Sequence, residues 1–287
     1  MLDRALRTFP YDRTMGSLLR LDDWSSVQVD EVFALADAYQ SGSGPILDGT
    51  AVMFFPASSL RTRVTFERGA SLMGLQPIVF PTETLDKPEL LADVAQYMSV
   101  WADVLVVRHR DLGVVEQLAS ADVIPVINAM TSENHPCEVL SDLYALRAKR
   151  DMKGLRYLFV GGDGNIARAW QEAARVLDLD LVQCGPSNLS TPGSNHTEDL
   201  QGALREADVV LTDSVGQHER ELVPYRLTAA LLDTAPRGVD FLPCPPFTRG
   251  KEVSADAIEH PSFVGHRFKQ PLLAVQQAII AFCLSSK

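Results

Sequence analysis

The run AVMFFPASSLRTRVTFERGASLMG, residues 51–74, passes from one apolar period to another within a few residues. Its first five positions are continuously apolar and rich in β-formers, as expected of a strand buried on both faces. From 63 to 74 the apolar residues Phe66, Ala70 and Met73 recur at helical spacing. The join between the two packs hydroxyls and arginines together. Backbone N–H groups at the start of a helix are unpaired and partially positive, and Ser59, Arg61 and Thr62 add donors suited to phosphate oxygens. The plainer alternative is an N-capped helix with a solvated basic first turn, and spacing alone leaves both open.

Outward from this unit the alternation continues. Apolar β-rich runs at 77–80, 103–107 and 124–127 are separated by helical patterns at 89–101 and 112–121. Strand–helix alternation predicts a parallel sheet with right-handed crossovers. A helix over 138–150, with Val139, Leu143 and Leu146 on one face, leads through Lys153-Gly154 into a second set of strands at 157–160, 181–184, 209–212 and 240–242. The Ser-, Asn-, Thr- and Pro-rich run 187–198 is expected to be an exposed loop, and 272–284 a strongly apolar helix. The fold class is α/β: two Rossmann-like domains, each a parallel sheet flanked by helices, divided as 1–145 and 146–287. A chain of 287 residues is long enough for two such cores. There is no internal repeat and no low-complexity segment.

Composition narrows the function classes. Charged residues are 22% of the chain, and no apolar stretch approaches the roughly 18 to 20 residues of a membrane span. The opening Met-Leu-Asp-Arg-Ala-Leu-Arg has no export signature, which places the protein in the cytoplasm. Cys137, Cys184, Cys244 and Cys283 are scattered without a C-x-x-C pair, so reduced thiols are expected rather than a disulfide framework or a zinc site. A net charge of -11 disfavours nucleic acid as a partner. It leaves room for a small anion held by a few converging arginines, because exposed charges are screened beyond about 8 Å.

The segment Ser59-Leu60-Arg61-Thr62-Arg63-Val64-Thr65-Phe66-Glu67 closely resembles S-T-R-T-R-x-S-F-E, the carbamoyl phosphate motif of the aspartate/ornithine carbamoyltransferase family. Three further matches follow that family's motifs. Val106-Val107-Arg108-His109 resembles a strand end whose arginine contacts the phosphate and carbonyl oxygens. Asn134-His135-Pro136-Cys137-Glu138-Val139-Leu140-Ser141-Asp142 resembles H-P-x-Q-x-L-x-D, whose histidine polarises the carbamoyl carbonyl. Asp86-Lys87-Pro88-Glu89-Leu90-Leu91-Ala92-Asp93 resembles a loop whose lysine, in the aspartate enzymes, reaches into a neighbouring subunit's site. The resemblance implies a homotrimer with shared active sites, a last helix returning to the first domain, and no metal or organic cofactor.

Two positions depart from the pattern on this side. Leu60 replaces a threonine and removes one hydroxyl donor to phosphate; the branch of the family that uses acylated ornithines is similar there. Glu138 replaces a glutamine whose side-chain oxygen accepts from the carbamoyl amino group. A carboxylate can still accept that bond. At ~6 Å from a phosphate charge and an effective dielectric of ~20, however, it adds repulsion on the order of 3 kcal/mol per unit charge. Three compensations are open: a raised Glu138 pKa, a cationic acceptor beside it, or use of Glu138 as the base that deprotonates the attacking ammonium.

The second half draws on several branches of the family. Gly161-Gly162-Asp163-Gly164-Asn165 resembles G-D-G-N-N, which implies that Asn165 contacts the acceptor's amino-acid end. The same segment fits a dinucleotide fingerprint, the rival enzyme class, but the following strand ends Gln183-Cys184-Gly185-Pro186 with no acid to hold a ribose. Thr212-Asp213 resembles the start of the ornithine enzymes' D-x-x-x-S-M-G without the S-M-G. Gln217-His218-Glu219-Arg220 is similar to the aspartate enzymes' Q-x-E-R, but Val215 stands where their substrate-carboxylate arginine belongs. Leu242-Pro243-Cys244-Pro245-Pro246 resembles H-C-L-P, which would turn Cys244 and Pro245 toward the carbamoyl group. Gly265-His266-Arg267 is similar to the N-R whose arginine helps bind the donor.

These likenesses imply a carbamoyltransferase that moves the carbamoyl group of carbamoyl phosphate onto an amine acceptor, with ornithine-like acceptors favoured over aspartate. Thr62, Arg108 and His135 would stabilise oxyanion charge, and phosphate would leave into Ser59, Arg61 and Arg108. A non-catalytic relative that binds an anion and acts through association is the alternative from another class, with Leu60, Glu138 and Pro243 as its marks.

Overall fold

The computed structural model describes residues 16–285; the opening segment read for an export signal lies outside the described residues. Helix α1 (Ser26–Gln40) precedes β1 (Gly49–Phe55), and then α2 (Arg61–Leu72), β2 (Leu75–Pro81), α3 (Leu91–Met98), β3 (Val104–Arg108), α4 (Leu112–Ala119), β4 (Val126–Met130) and α5 (Pro136–Arg147) alternate. The four strands form one parallel sheet in the order β2-β1-β3-β4. Fully apolar runs in β1 and β3 become the middle strands because both of their faces are covered. Met53 and Val106 face a core shared with α1 and α2, while Val52, Phe54 and Val107 face a second core with α3 and α4.

The fourth strand lies later than the apolar run 124–127 suggested, at Val126–Met130. Pro125 has no N–H to give a ladder, yet its carbonyl still accepts from Leu105 N at 2.9 Å. Residues 17–19 cover the outer edge of β4: Leu18 N donates to Val126 O, Asn128 N to Leu18 O, and Asn128 Nδ2 to Leu19 O. At the opposite edge, β2 pairs, among the described residues, with β1 alone. Gly74 makes the turn from α2 into β2 at φ +95°, where a Cβ would sit 2.2 Å from Leu47 O.

The second sheet is built from β5 (Arg156–Val160), α6 (Asn165–Leu177), β6 (Asp180–Cys184), β7 (His196–Thr197), α7 (Leu200–Leu204), β8 (Val209–Thr212), α8 (Glu219–Leu222), α9 (Ala229–Leu232) and β9 (Asp240–Pro243). Its strand order is β7-β6-β5-β8-β9, again all parallel. The run 187–198 is thus not wholly loop. Its end pairs His196 and Thr197 with Gln183 and Cys184 as a two-residue edge strand, too short for a period-2 pattern to be visible.

Helix α10 (Leu272–Ser285) returns to the first sheet, packing on α1, α2 and α5. Gln277 Nε2 donates to Gly69 O at 3.1 Å, and the missing side chain at Gly69 is what lets the two helices approach so closely. Nearly every residue of α10 is buried because it is covered all round. No helix among the described residues is long and apolar enough to cross a membrane.

Candidate active site

In the first sheet the strand order reverses between β1 and β3, so the loops leaving their C-terminal ends diverge and leave a crevice. Into it project residues 56–62 and the end of β3. Arg108 Nη1 donates to Thr62 Oγ1 at 3.1 Å and to Ser59 Oγ at 3.4 Å. The arginine's own carbonyl accepts from Thr82 Oγ1 at 2.6 Å, which fixes the strand end. Ser59 and Thr62 are 6% and 5% exposed. Leu60, at the N-cap of α2, is 68% exposed, and no side chain caps the helix. The plainer reading of this segment, a side-chain-capped helix, is therefore not what forms. The first-turn N–H groups keep no cap of their own beside a guanidinium, which is a favourable arrangement for an anion. Burial, with Arg61 adding to it, lowers the Arg108 pKa against the pull of Glu138. A cavity of about 350 Å³ opens at Arg108, lined also by Pro56, Thr82, His109 and Thr131.

His135 is held by its neighbours. Thr131 Oγ1 accepts from Asn134 N at 2.9 Å, and Asn134 Nδ2 donates to Glu172 of α6 at 2.5 Å. Glu172 also accepts from Leu21 N at 2.9 Å, so one buried carboxylate joins the N-terminal segment, the His135 loop and the second sheet's first helix. His135 takes the N-cap position of α5, and Pro136 starts the helix. Its Nδ1 has no partner among the described residues. Burial, aided by Arg108 and Lys269 and opposed by Glu138, pushes its pKa down to about 4. The imidazole is therefore neutral near pH 7 and offers an N–H rather than a charge.

Glu138 and Asp142 lie one turn apart on the same buried face of α5. Between them sits Lys269, whose Nζ is 2.6 Å from Glu138 Oε1 and 2.5 Å from Asp142 Oδ1. Burial opposes ionisation of Glu138, but Lys269 and then His135 outweigh it and hold the carboxyl below its ordinary value. Burial raises Asp142 to about 6, with Glu138 adding to the rise and Lys269 opposing it. Burial also disfavours the Lys269 ammonium, yet the Asp142 and Glu138 carboxylates hold its pKa up. Of the three compensations open for Glu138, the raised pKa does not occur, and an ionised carboxyl of lowered pKa is a poor base. The compensating cation belongs to the chain itself.

Sequence reasoning missed Lys269 and chose Arg267, two residues earlier. Both lie in the 3-10 turn His266–Lys269, where residues two apart point in different directions. Arg267 is exposed and lines a different cavity with Tyr39, Tyr144 and Lys149. The structure thus does not bring Arg267 to the cradle. The signal for Lys269 was Glu138 and Asp142 themselves, since two carboxylates on one buried helix face require a cation.

The second sheet reverses its order between β5 and β8, and its loops face the same crevice. Asn165 starts α6 and donates through Nδ2 to Thr131 O at 2.7 Å, linking the two sheets' loops. Asp213 follows β8; burial is the main cause that raises its carboxyl to about 6, and the charges of Glu138 and Lys269 both reach it. Cys244 follows β9, buried beside the partly buried Pro245, and burial pushes its thiol pKa well up, so it stays a neutral thiol. Gln217 is exposed, with its side-chain nitrogen 3.3 Å from the adjacent His218 ring. Lys87 is exposed on the loop after β2, next to Asp86, which lines the cavity at Arg108. The glycine-rich loop after β5 is covered where a dinucleotide would approach. Leu189 O accepts from Asp163 N at 2.6 Å, and Leu189 packs on Gly162.

Residues 17–148 match the carbamoyl-P binding domain of the aspartate/ornithine carbamoyltransferases, and residues 153–283 match their Asp/Orn binding domain. The chain belongs to the aspartate/ornithine carbamoyltransferase family. Among family members, the ornithine carbamoyltransferase of Geobacter sulfurreducens is 32% identical over 92% of this chain and 97% of its own. That of Methylobacillus flagellatus is 31% identical over 85% and 87%. The crystal structure of the Burkholderia thailandensis ornithine carbamoyltransferase superposes with a TM-score of 0.85 at 27% identity, covering 93% of this chain and 98% of that one. The Pyrococcus furiosus enzyme gives 0.86 at 26%, covering 94% and 97%. Within this carbamoyltransferase, the carbamoyl-P half supplies the crevice with Ser59, Arg61, Thr62, Arg108, His135 and Glu138. The Asp/Orn half supplies Asn165, Asp213, Cys244 and Pro245, together with Lys269.

Proposed function

We propose that the crevice transfers the carbamoyl group of carbamoyl phosphate to the primary amine of an ornithine-like amino acid and releases phosphate. The observation that carries this reading is the Arg108 guanidinium bound to Ser59 and Thr62 at an uncapped helix start, with neutral His135 alongside. A neutral amine attacks the carbonyl carbon; the C–N bond forms as the C–O bond to phosphate breaks, and the departing phosphate oxygen takes the proton lost by the attacking nitrogen. Thr62, Arg108 and the His135 N–H stabilise the developing oxyanion, and Ser59, Arg61 and Arg108 receive the phosphate. Glu138 accepts from the carbamoyl amino group. Asp213, Cys244, Pro245 and Asn165 form the acceptor side. No metal or organic cofactor takes part.

We further read the protein as a cytoplasmic homotrimer in which Lys87 of one subunit serves a neighbour's crevice. Lys87 is exposed on the loop beyond the open edge of β2, and that edge presents the half-exposed Ile78 and Phe80. Tyr97, Val100 and Trp101, close together in sequence at the end of α3, are each more than 60% exposed. Light scattering checks this: the expected mass is about three times the chain mass of 31.5 kDa, and a monomer would remove the shared site.

The activity is tested by phosphate release from carbamoyl phosphate, above its spontaneous breakdown, with ornithine, acylated ornithines, aspartate, putrescine and small diamino acids as acceptors. Acceptor-dependent release that is lost in Arg61→Ala is the expected result. Absence of release with every amine, together with no calorimetric binding of carbamoyl phosphate, would instead favour the non-catalytic relative.

A further inference from the structure

We propose that Lys269 and Glu138 act as one unit, a charge pair standing in for a single neutral hydrogen-bond acceptor, and that Lys269 is a positioning residue for donor binding. This rests on the carbamoyl transfer reading above. The argument begins from what surrounds Glu138. His135 and Asp142 face it from its own helix, Arg61 from the start of α2 and Arg108 from the end of β3. Asp213 and Cys244 face it from the loops after β8 and β9. Arg108 is already engaged with Ser59 and Thr62, and His135 is neutral. The cation in hydrogen-bond contact with the Glu138 carboxylate is Lys269, at 2.6 Å from Oε1.

The contact has a definite geometry. Lys269 takes Oε1, while Oε2 points toward His135, 3.9 Å from its Nε2. One oxygen is neutralised by the ammonium and the other is turned toward the histidine that flanks the cradle, where it can accept a donor N–H. A glutamine at this position would need no such partner. A glutamate without one would set a full negative charge beside the phosphate. Asp142, on the far side of Lys269, holds the ammonium in place from below, so the lysine is fixed before any substrate arrives. The acceptor's own ammonium is thus not needed to neutralise Glu138.

The test uses phosphonoacetamide, a stable carbamoyl phosphate isostere, titrated calorimetrically at pH 6 and pH 8 into the whole protein. In Lys269→Gln, binding at pH 8 should weaken roughly a hundredfold or more, the effect of one uncompensated charge on each unit of ligand charge at ~6 Å and an effective dielectric of ~20. It should recover partly at pH 6, because Glu138 and Asp142 both lose the cation that favours their ionised forms. The double variant Glu138→Gln with Lys269→Gln carries neither charge and should bind within about threefold of wild type at both values. A structural role for Lys269 would leave the double variant as weak as the single one and neither pH-dependent, and that result overturns the inference. So does wild-type affinity in Lys269→Gln. Should Lys269→Gln fail to fold, the double variant decides alone: near-wild-type affinity supports the pair, and a loss beyond tenfold overturns it. If the wild type itself binds no phosphonoacetamide, the donor-site reading falls, an outcome separate from all of these.

Discussion

The two sides of the crevice are built to different standards. On the first sheet's side the main charged and polar side chains are engaged before a ligand arrives: Arg108 with Ser59 and Thr62, Asn134 with Glu172, and Glu138 and Asp142 with Lys269. On the second sheet's side Asp213 is only partly buried, Gln217 is exposed, and Cys244 keeps its thiol on the neighbouring Pro245 carbonyl at a loose 3.9 Å. A site that binds one small, invariant, doubly charged donor gains from rigidity, because preorganised dipoles cost nothing at the moment of reaction. A side that recognises the varying part of the reaction tolerates looser loops, and those are where members of one fold diverge.

The largest effect should come from breaking the committed side at its centre. Arg108→Lys keeps a positive charge but loses the planar guanidinium whose Nη1 holds both hydroxyls and whose remaining N–H groups are left for substrate. We expect kcat/KM for carbamoyl phosphate to fall on the order of 10²- to 10³-fold, as for loss of an oxyanion donor. The acceptor KM should move little. Steady-state phosphate release read against each substrate separately distinguishes the two, and a loss below tenfold would show that the cradle is less preorganised than its hydrogen bonds indicate.

The same contrast governs how much was legible in the sequence. The α/β class and both parallel sheets follow from apolar runs alternating with helical periods, and each run from 51 to 242 found its strand. The misses are local. β4 begins past Pro125, which offers the ladder no N–H, and β7 is two residues long inside a polar stretch. Ser59, Thr62 and Arg108 came from one dense segment and one strand end, where sequence neighbours remain neighbours in space. Glu138 and Asp142 call for a cation, but which one they meet was not legible, because Lys269 lies 131 and 127 residues away from them. No period places a 3-10 turn against α5. Arg267 was chosen because a motif names a residue type and a rough position, whereas the orientation of a single turn decides which side chain enters the crevice.

A smaller effect sharpens the comparison further, because His135 on one side and Asp213 on the other carry opposite pH linkages. His135 is depressed from 6.5 to about 4, mainly by burial. Its contribution to stability is present above pH 6.5 and is lost as pH falls toward 4, where the unfolded chain binds the extra proton. Asp213 is raised from 3.8 to about 6, also by burial. Its contribution is present below pH 3.8 and is lost as pH rises through 6. Replacing each by Asn removes its titration. Between pH 7.5 and pH 4.5, His135→Asn should gain about 2 kcal/mol relative to wild type on the acid side. Asp213→Asn should gain about 1 kcal/mol on the neutral side, discounted because the group is only partly buried. Asp142, which also titrates near 6, is common to all three proteins and cancels in the comparison. Urea unfolding at the two pH values measures both differences. Equal slopes in wild type and Asp213→Asn would mean that the acceptor side opens to water enough to erase the burial cost, which would make it more mobile still than its loose contacts imply.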